Sequence, residues 1–359
     1  MNHVQLAAAV RAALTRAVAA GDLAVTVPDT ITLDRPRSRD HGDYATPVAL
    51  ELAGTAGLAP RRIAAVLAGH LSQENGICDV DVAGPGFVNI RLDIAAAGAP
   101  VGEVIAAGSA YGSSEVLRGR QISLVFAAAD PIGPVFIGDA RRAAVGDAMG
   151  RVLATQGATV VRQYLPAAEE VVIGPKVFRL EDLIDALGVD AARYWLIRST
   201  VDMVNTVDTT RDTVDTTLEP DLDLWTKQIP DNPVFHVRFA HAQLAALARS
   251  ARDLGIDLGT DYDPALLNTP QESELIALLA AYPQVLTKAA DSRAPHRIAR
   301  YLEDLASGYD RFHEATRVLP MGDEAPGAAH VARLWLCAAV RQVLANGLAV
   351  LGVSAPERL

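Results

Sequence analysis

The feature that most limits the fold of this chain is a single strand, loop, helix and strand pattern between residues 121 and 165. The pattern predicts, in order, a strand at Gln121–Ala127, a rigid loop at Asp130–Pro134, a helix from about Gly138 to Gln156 and a strand at Thr159–Leu165. This order predicts one βαβ unit whose helix N-terminus is open to an anion. A nucleotide-binding fold needs several units of about 30 residues, and residues 120–198 have room for about two. The sequence therefore predicts a short Rossmann-like remnant.

The residues before this unit predict a small α/β domain. A helix is expected from about Val4 to Ala20, and two more begin near Pro47, with Thr46 as N-cap, and at Pro60. Two strands, Ile77–Ala83 and Phe87–Leu92, are joined by a Gly-Pro-Gly turn. Strand alternation places Val88, Ile90 and Leu92 on one face and displays Phe87, Asn89 and Arg91 on the other.

The C-terminal part is predicted to be all helical. Long helices are expected near 232–254, 271–290, 295–317 and 328–351, and short connections between them indicate a bundle. The fold class is therefore α+β and multidomain: a small N-terminal α/β domain at 1–115, the Rossmann-like remnant at 116–200, an acidic linker at 201–231 and an all-α bundle at 232–359. The linker is preferred to a metal site because it lacks the spacing of a calcium loop.

Charge and composition limit the choice of partner. The net charge of −11 argues against nucleic acid, but residues 201–231 hold eight acids and two bases, and so account for −6 of it. Of the 32 bases, 29 are arginines, which bind phosphate well, although a coding bias would give the same count. Two distant cysteines exclude a disulfide framework. The lack of an apolar run of about 18 residues predicts a cytoplasmic protein without a membrane span.

Several motifs, in order, resemble bacterial arginyl-tRNA synthetases, which are class I enzymes. The matching segments are His41-Gly42-Asp43-Tyr44-Ala45-Thr46, Pro60-Arg61-Arg62-Ile63-Ala64, Ala83 to Ile90, Gly188 to Tyr194, Asp231 to Ala242, and Val340 to Leu348 with the closing Ser354 to Leu359. The resemblance implies an N-terminal domain that contacts the tRNA elbow and a C-terminal anticodon-binding domain of the DALR type. It describes a truncated paralogue that lacks most of the catalytic domain.

The departures from the family pattern fall on the chemistry. The family's Ser-Ala-Asn-Pro-Thr-Gly-Pro loop reads Ala128 to Pro134 here, and its His-(Ile or Val)-Gly-His signature becomes Phe136, Ile137, Gly138 and Asp139. Both imidazoles, which donate to the ATP phosphates, are therefore replaced, and Asp139 would repel a triphosphate. The Lys-Met-Ser-Lys-like loop should fall at Val171–Gly174, which has no lysine.

No other catalytic or cofactor motif replaces these residues. Lys176 and Arg179 are an alternative phosphate site, but two cations without a cradle are more often surface charges. The histidines lack metal-ligand spacing, and no nucleophile elbow or P-loop is present. We therefore expect no cofactor, no metal and no catalytic residue, with ATP binding in doubt and the degenerate positions Phe136, Gly138 and Asp139 in place of the signature.

Three functions remain open. The favoured one is a protein that binds tRNA, most simply arginine tRNA, without forming the aminoacyl-adenylate. The second is an enzyme or subunit that uses or helps make arginyl-tRNA in trans, with another protein of such a pathway as partner. The third is a protein-interaction scaffold derived from a synthetase. Salt-sensitive tRNA binding separates the first two from the third.

The expected tRNA-binding residues lie in both end domains: Tyr44, Phe87, Asn89, Arg91, His236, Arg238, His241 and Arg341. In the N-terminal domain, an aromatic ring, an amide and a cation would stack on a base, bind its edge and neutralise a phosphate. The alternative is that Phe87 only covers the edge of a small core. For the bundle, the alternative is that His236 and His241 lie on different faces and at least one is in the core.

Overall fold

The structure is a computed structural model that describes residues 1, 3–36, 41–127, 135, 137–165, 179–198 and 221–359. The N-terminal part contains α1 (His3–Ala19), β1 (Tyr44–Thr46), α2 (Val48–Ala56), α3 (Pro60–Leu71), β2 (Ile77–Ala83), β3 (Phe87–Leu92) and α4 (Ile94–Ala107). The middle contains β4 (Gln121–Ala127), α5 (Ile137–Thr155), β5 (Thr159–Leu165), α6 (Leu180–Leu187) and α7 (Val189–Arg198). The remaining helices are α8 (Leu222–Trp225), α9 (Pro233–Asp253), α10 (Pro270–Asp291), α11 (His296–Ala315) and α12 (Ala328–Leu351).

The N-terminal unit is a three-stranded antiparallel sheet in the order β1-β3-β2, packed on α2 and α3, and α1 packs on α3. The predicted helices and the β2–β3 pair are confirmed, but β1 was not predicted. Gly42 allows β1 to approach β3: its φ is 89°, and a Cβ there would lie 2.7 Å from the carbonyl oxygen of Ile90. The N-cap of α2 is Pro47 and not Thr46, whose hydroxyl accepts the Val48 N–H at 3.3 Å.

Two hydrophobic cores divide the chain within α4. The first core includes residues from Leu6 to Leu92, while Val101, Val104 and Tyr111 belong to the second core together with the helical bundle. Asp93 is the N-cap of α4 and its carboxylate accepts the Ala96 N–H at 2.6 Å; the helix packs on α10 and α12. The boundary between the two cores therefore lies before residue 115, the predicted end of the N-terminal domain, because α4 packs on the bundle.

The predicted βαβ unit is confirmed. Strands β4 and β5 pair in parallel, with Gln121 opposite Thr159, and α5 packs on this two-stranded sheet. Helix α5 also packs on α7, α10 and α12, and it shares the second core with them. The remnant therefore has no core of its own within the described residues, and the bundle supports it.

Helices α9 to α12 form the predicted bundle. Asn232 caps α9 and is 3% exposed; its amide donates to the carbonyl oxygens of Trp225 and Lys227 at 2.8 Å each. Trp225 itself is 7% exposed. Part of the segment predicted as a solvated linker is therefore packed into the core, while its residues 201–220 lie outside the described part of the chain.

Helix α12 corrects one expectation from composition. By length and hydropathy alone it could span a membrane, with a mean hydropathy of 1.6 over an 18-residue window. However, 72% of that window is buried inside the protein, where α12 packs on α4, α9, α10 and α11. It is the central core helix of the bundle, which accounts for its apolar composition.

Candidate nucleic-acid interface

The outer face of the N-terminal sheet displays Phe87, which is 39% exposed. The predicted alternation is present, since Val88, Ile90 and Leu92 are buried on the inner face. The turn before Phe87 lies against the start of α3: Gly86 has a φ of 146°, and a Cβ there would lie 2.7 Å from the Pro60 Cβ. This turn fixes Phe87 at one end of the strand with its ring partly open to solvent.

Asn89 does not share that exposure, which corrects the expectation of three displayed side chains. It is only 7% exposed because β3 is the central strand, so that Ala45 of β1 and Asp81 of β2 flank it. Arg91 is exposed, and Asp79 lies opposite it on β2. The face therefore presents one aromatic ring among mixed charges, and Phe87 is its strongest candidate contact.

Tyr44 lies on the other side of the sheet. It pairs with the inward-facing Ile90, it is 3% exposed, and burial raises the pKa of its hydroxyl. The Arg35 guanidinium lies 4.7 Å from the centroid of the Tyr44 ring and donates to its hydroxyl at 3.0 Å. The structure thus makes Tyr44 a core residue that holds Arg35, which does not support its predicted role as a tRNA-binding residue.

In the bundle, the predicted contacts on α9 are engaged within the protein. His236 Nε2 lies 2.6 Å from a carboxylate oxygen of Asp310. His241 is 5% exposed, and its Nδ1 lies 2.8 Å from the carbonyl oxygen of Pro356. Burial lowers the pKa of His241, which favours the neutral ring with Nδ1 as the donor. The alternative that at least one of these histidines is in the core applies to His241.

The predicted arginines of the bundle, Arg238 and Arg341, both interact with the C-terminal tail, residues 353–359. Arg238 donates to Ser354 Oγ at 3.2 Å and lies at the same distance from Asp190 of α7. Arg341 of α12 lies 3.9 Å from a carboxylate oxygen of Glu357. The tail therefore lies along α9, and at 35% exposure the Arg341 side chain is still open to solvent.

A stacked aromatic pair on α9 was missed by the sequence analysis. Phe235 and Phe239 lie one turn apart with ring centroids separated by 5.3 Å and planes 17° apart, and Phe239 is 37% exposed. An exposed ring that a second ring supports can stack on an unpaired base at little cost in side-chain entropy. Their spacing of four residues on a predicted helix was the available signal.

A groove of about 460 Å³ lies between α9 and α12. Its walls are mainly apolar and include Leu244, Leu247, Leu334 and Cys337, while Arg252, Asp257 and Arg341 contribute charge. Burial raises the pKa of the Cys337 thiol, which makes it an unreactive part of the wall. The groove combines apolar surface with cations, as a site for a splayed base requires.

The positions expected to replace the class I signature are only partly described. Gly138 and Asp139 lie in the first turn of α5, and the Asp139 carboxylate forms an ion pair with Arg142. Phe136, the loop 128–134, and Lys176 lie outside the described residues, whereas Arg179 comes directly before α6. Among the described residues, no group of three His, Cys, Asp or Glu side chains is arranged to hold a metal ion.

The fold and these surfaces define a synthetase-like protein that joins a small N-terminal α/β domain to an anticodon-binding type of bundle. Residues 4–92 match the arginyl-tRNA synthetase N-terminal domain, and residues 237–359 match the DALR anticodon-binding domain. The chain is 32% identical to the arginine–tRNA ligase of Frankia alni over an alignment of 565 residues, which covers 100% of each chain. It belongs to the arginyl-tRNA synthetase family, at 359 residues against 565 in that relative.

Solved structures of more distant relatives have the same fold. The arginyl-tRNA synthetase of Thermus thermophilus superposes with a TM-score of 0.65 at 14% identity, covering 100% of both chains. The arginyl-tRNA synthetase of Plasmodium falciparum superposes with a TM-score of 0.63 at 10% identity, covering 99% of this chain and 98% of its own. At these identities the likeness supports the fold alone.

Proposed function

We propose that this chain binds arginine tRNA through two separate surfaces and does not form arginyl-adenylate. The first surface is the outer face of the N-terminal sheet around Phe87. The second is on the bundle, where the candidate contacts are Phe239 of α9 and the groove between α9 and α12 that Arg341 lines. The main support for tRNA binding is that each surface presents an exposed aromatic ring on a domain that matches a synthetase domain. The support for the loss of adenylate formation is that the remnant between these domains has two described strands. No cofactor is required for this function.

The loss of adenylate formation is supported by charge. The N-terminus of α5 has a positive helix dipole that would favour a phosphate, but Asp139 occupies its first turn. Its carboxylate and its Arg142 partner satisfy each other, so neither adds net positive charge for ATP. A triphosphate would have to displace this ion pair and then face the carboxylate.

Binding at two surfaces can be tested with matched RNAs. We expect a full arginine tRNA to bind at least tenfold more tightly than its anticodon stem-loop alone, because linking two contacts raises avidity by about 10²- to 10⁴-fold. Fluorescence anisotropy with three transcripts measures this: the whole tRNA, the stem-loop, and a tRNA whose D-loop bases are removed. Equal affinities for all three would contradict the two-surface proposal, and an absence of binding to any of them would refute tRNA binding.

Phe87 is expected to contribute by stacking. Phe87→Ala should weaken tRNA binding about tenfold or more, since stacking on an aromatic ring is worth about 1 to 3 kcal/mol per base. Its Tm should change little because the ring is 39% exposed. Anisotropy titration with thermal melting of the same samples checks both values.

Phe87→Tyr is the matched control, because it keeps the ring and should bind tRNA nearly as well as the original chain. Phe87→Leu keeps apolar cover without a ring and should resemble Phe87→Ala. If Phe87→Ala instead melts early while its folded fraction binds normally, Phe87 is a core residue and contributes nothing to recognition.

A further inference from the structure

A cluster of exposed cations lies at the turn between α10 and α11, far along the chain from the residues already discussed. This basic corner consists of Lys288, Arg293, Arg297 and Arg300, all of them exposed. With Asp291 included, residues 288–300 carry a net charge of +3, in a chain whose total is −11. The corner is therefore a local reversal of the protein's overall charge.

Most other arginines of the bundle form ion pairs, whereas the basic side chains of the corner do not. Within the described part of the chain, six other bundle arginines form ion pairs with carboxylates: Arg238, Arg249, Arg311, Arg317, Arg333 and Arg341. None of the four corner side chains has an ion pair or a hydrogen bond with a described residue. Like charges placed together without partners repel one another, and an external polyanion would relieve that repulsion.

The geometry of the turn directs these charges to one corner of the bundle. Helix α10 ends at Asp291 and α11 begins at His296, so the two helices run antiparallel; the ion pair between Arg311 and Glu274 joins their outward faces. Arg297 and Arg300 are three residues apart and are neighbours on the surface of α11. The N-terminus of α11 has no side-chain cap, and its dipole adds positive potential at the same corner.

The corner adjoins the N-terminal unit. Gln284, one turn before Lys288 on α10, has its side-chain nitrogen 3.1 Å from His3 Nε2 of α1. Helices α1 and α10 are in direct contact at this joint. The cations therefore lie where the domain that carries Phe87 meets the bundle that carries Phe239.

We propose that the basic corner binds the phosphodiester backbone of the tRNA that contacts the two surfaces. This inference rests on the proposed function and adds a third, sequence-independent contact to it. Guanidinium groups match phosphate oxygens in a forked geometry. An acidic protein partner is a poorer fit, because protein interfaces bury an apolar core and no large hydrophobic residue among 288–300 is exposed.

The test compares two triple variants that remove the same charge. The corner triple removes three charges of the basic corner: Arg293→Gln, Arg297→Gln and Arg300→Gln. The control triple removes three exposed arginines that form ion pairs elsewhere: Arg118→Gln, Arg311→Gln and Arg317→Gln. Each phosphate contact contributes about 0.7 to 0.9 to the slope of log K against log salt. We therefore expect the corner triple to lower the slope for tRNA by about 2 and to bind about tenfold more weakly near 0.15 M salt.

The control triple should keep the original slope and an affinity within about twofold of the original chain, since its arginines have partners. Identical slopes for the two triples would overturn the basic corner while leaving tRNA binding in place, and failure of the original chain to bind tRNA would refute the proposed function itself. If the corner triple keeps its affinity for tRNA but loses binding to poly-glutamate, the proposed phosphate contact is wrong and the corner binds an acidic protein partner. If the corner triple melts early, Arg300→Gln alone should still lower the slope by about 0.7 to 0.9.

Discussion

No arginine-dependent ATP–pyrophosphate exchange is expected from this chain, with or without tRNA. Adenylate formation needs donors that stabilise charge on the phosphates, and loss of one such donor costs about 10² to 10³ in rate. The resemblance implies that Phe136 and Asp139 replace the family's two histidines, and Asp139 is paired with Arg142. Because the losses affect the same step, we expect a rate at least about 10⁴-fold below that of an active synthetase.

The exchange assay needs an active arginyl-tRNA synthetase as the positive control at equal concentration. The double variant Phe136→His, Asp139→His is the matched test within this chain, and we expect it to stay inactive because the described part of the chain has only two strands of a nucleotide-binding sheet. Clear arginine-dependent exchange by the purified chain, abolished by further change at Asp139, would contradict the account.

The second large effect concerns stability, at the buried carboxylate of Glu272. This side chain has no exposed surface; one oxygen accepts from Arg333 Nε at 2.8 Å and the other from the Thr269 N–H at 2.9 Å, closing a capping box at the start of α10. Glu272→Ala removes the carboxylate half of the capping box, which accepts the Thr269 N–H, and leaves Arg333 without its partner. We expect a loss of about 3 kcal/mol in the free energy of unfolding.

Glu274→Ala, two residues further on the same helix, is the control. Glu274 and its partner Arg311 are 42% and 51% exposed, and exposed pairs contribute at most about 1 kcal/mol. Urea denaturation of both variants, followed by circular dichroism, compares the losses directly. Equal destabilisation would show that the burial of the Glu272 carboxylate does not determine its contribution.

Helix and strand positions could be predicted wherever one period dominated the sequence. The strands Gln121–Ala127 and Thr159–Leu165 and the four long bundle helices are present within a few residues of the predicted bounds. Helix α4 was missed because its sequence consists almost entirely of small and apolar residues, so that no polar face marks it. Strand β1 was missed because three residues are too few to show alternation.

The candidate site could be predicted only in part. Alternation along one strand identified Phe87 as outward-facing, but the burial of Asn89 depends on two neighbouring strands that the alternation does not reveal. Likewise, the partners of Arg238 and His241 lie in the C-terminal tail, more than 100 residues away, and only the folded bundle brings them together. The local sequence pattern therefore predicted the direction in which a side chain points. Whether that side chain is free to contact RNA depended on tertiary contacts that the pattern does not reveal.

The most direct test of the central claim is an equilibrium titration of the purified chain with arginine tRNA at 0.05 M and 0.2 M salt. The account predicts a complex at low salt whose affinity falls at least about tenfold at high salt, because phosphate contacts release counterions when they form. Arginine and ATP should leave both affinities unchanged. An absence of tRNA binding at low salt, or an affinity insensitive to salt, would contradict the account.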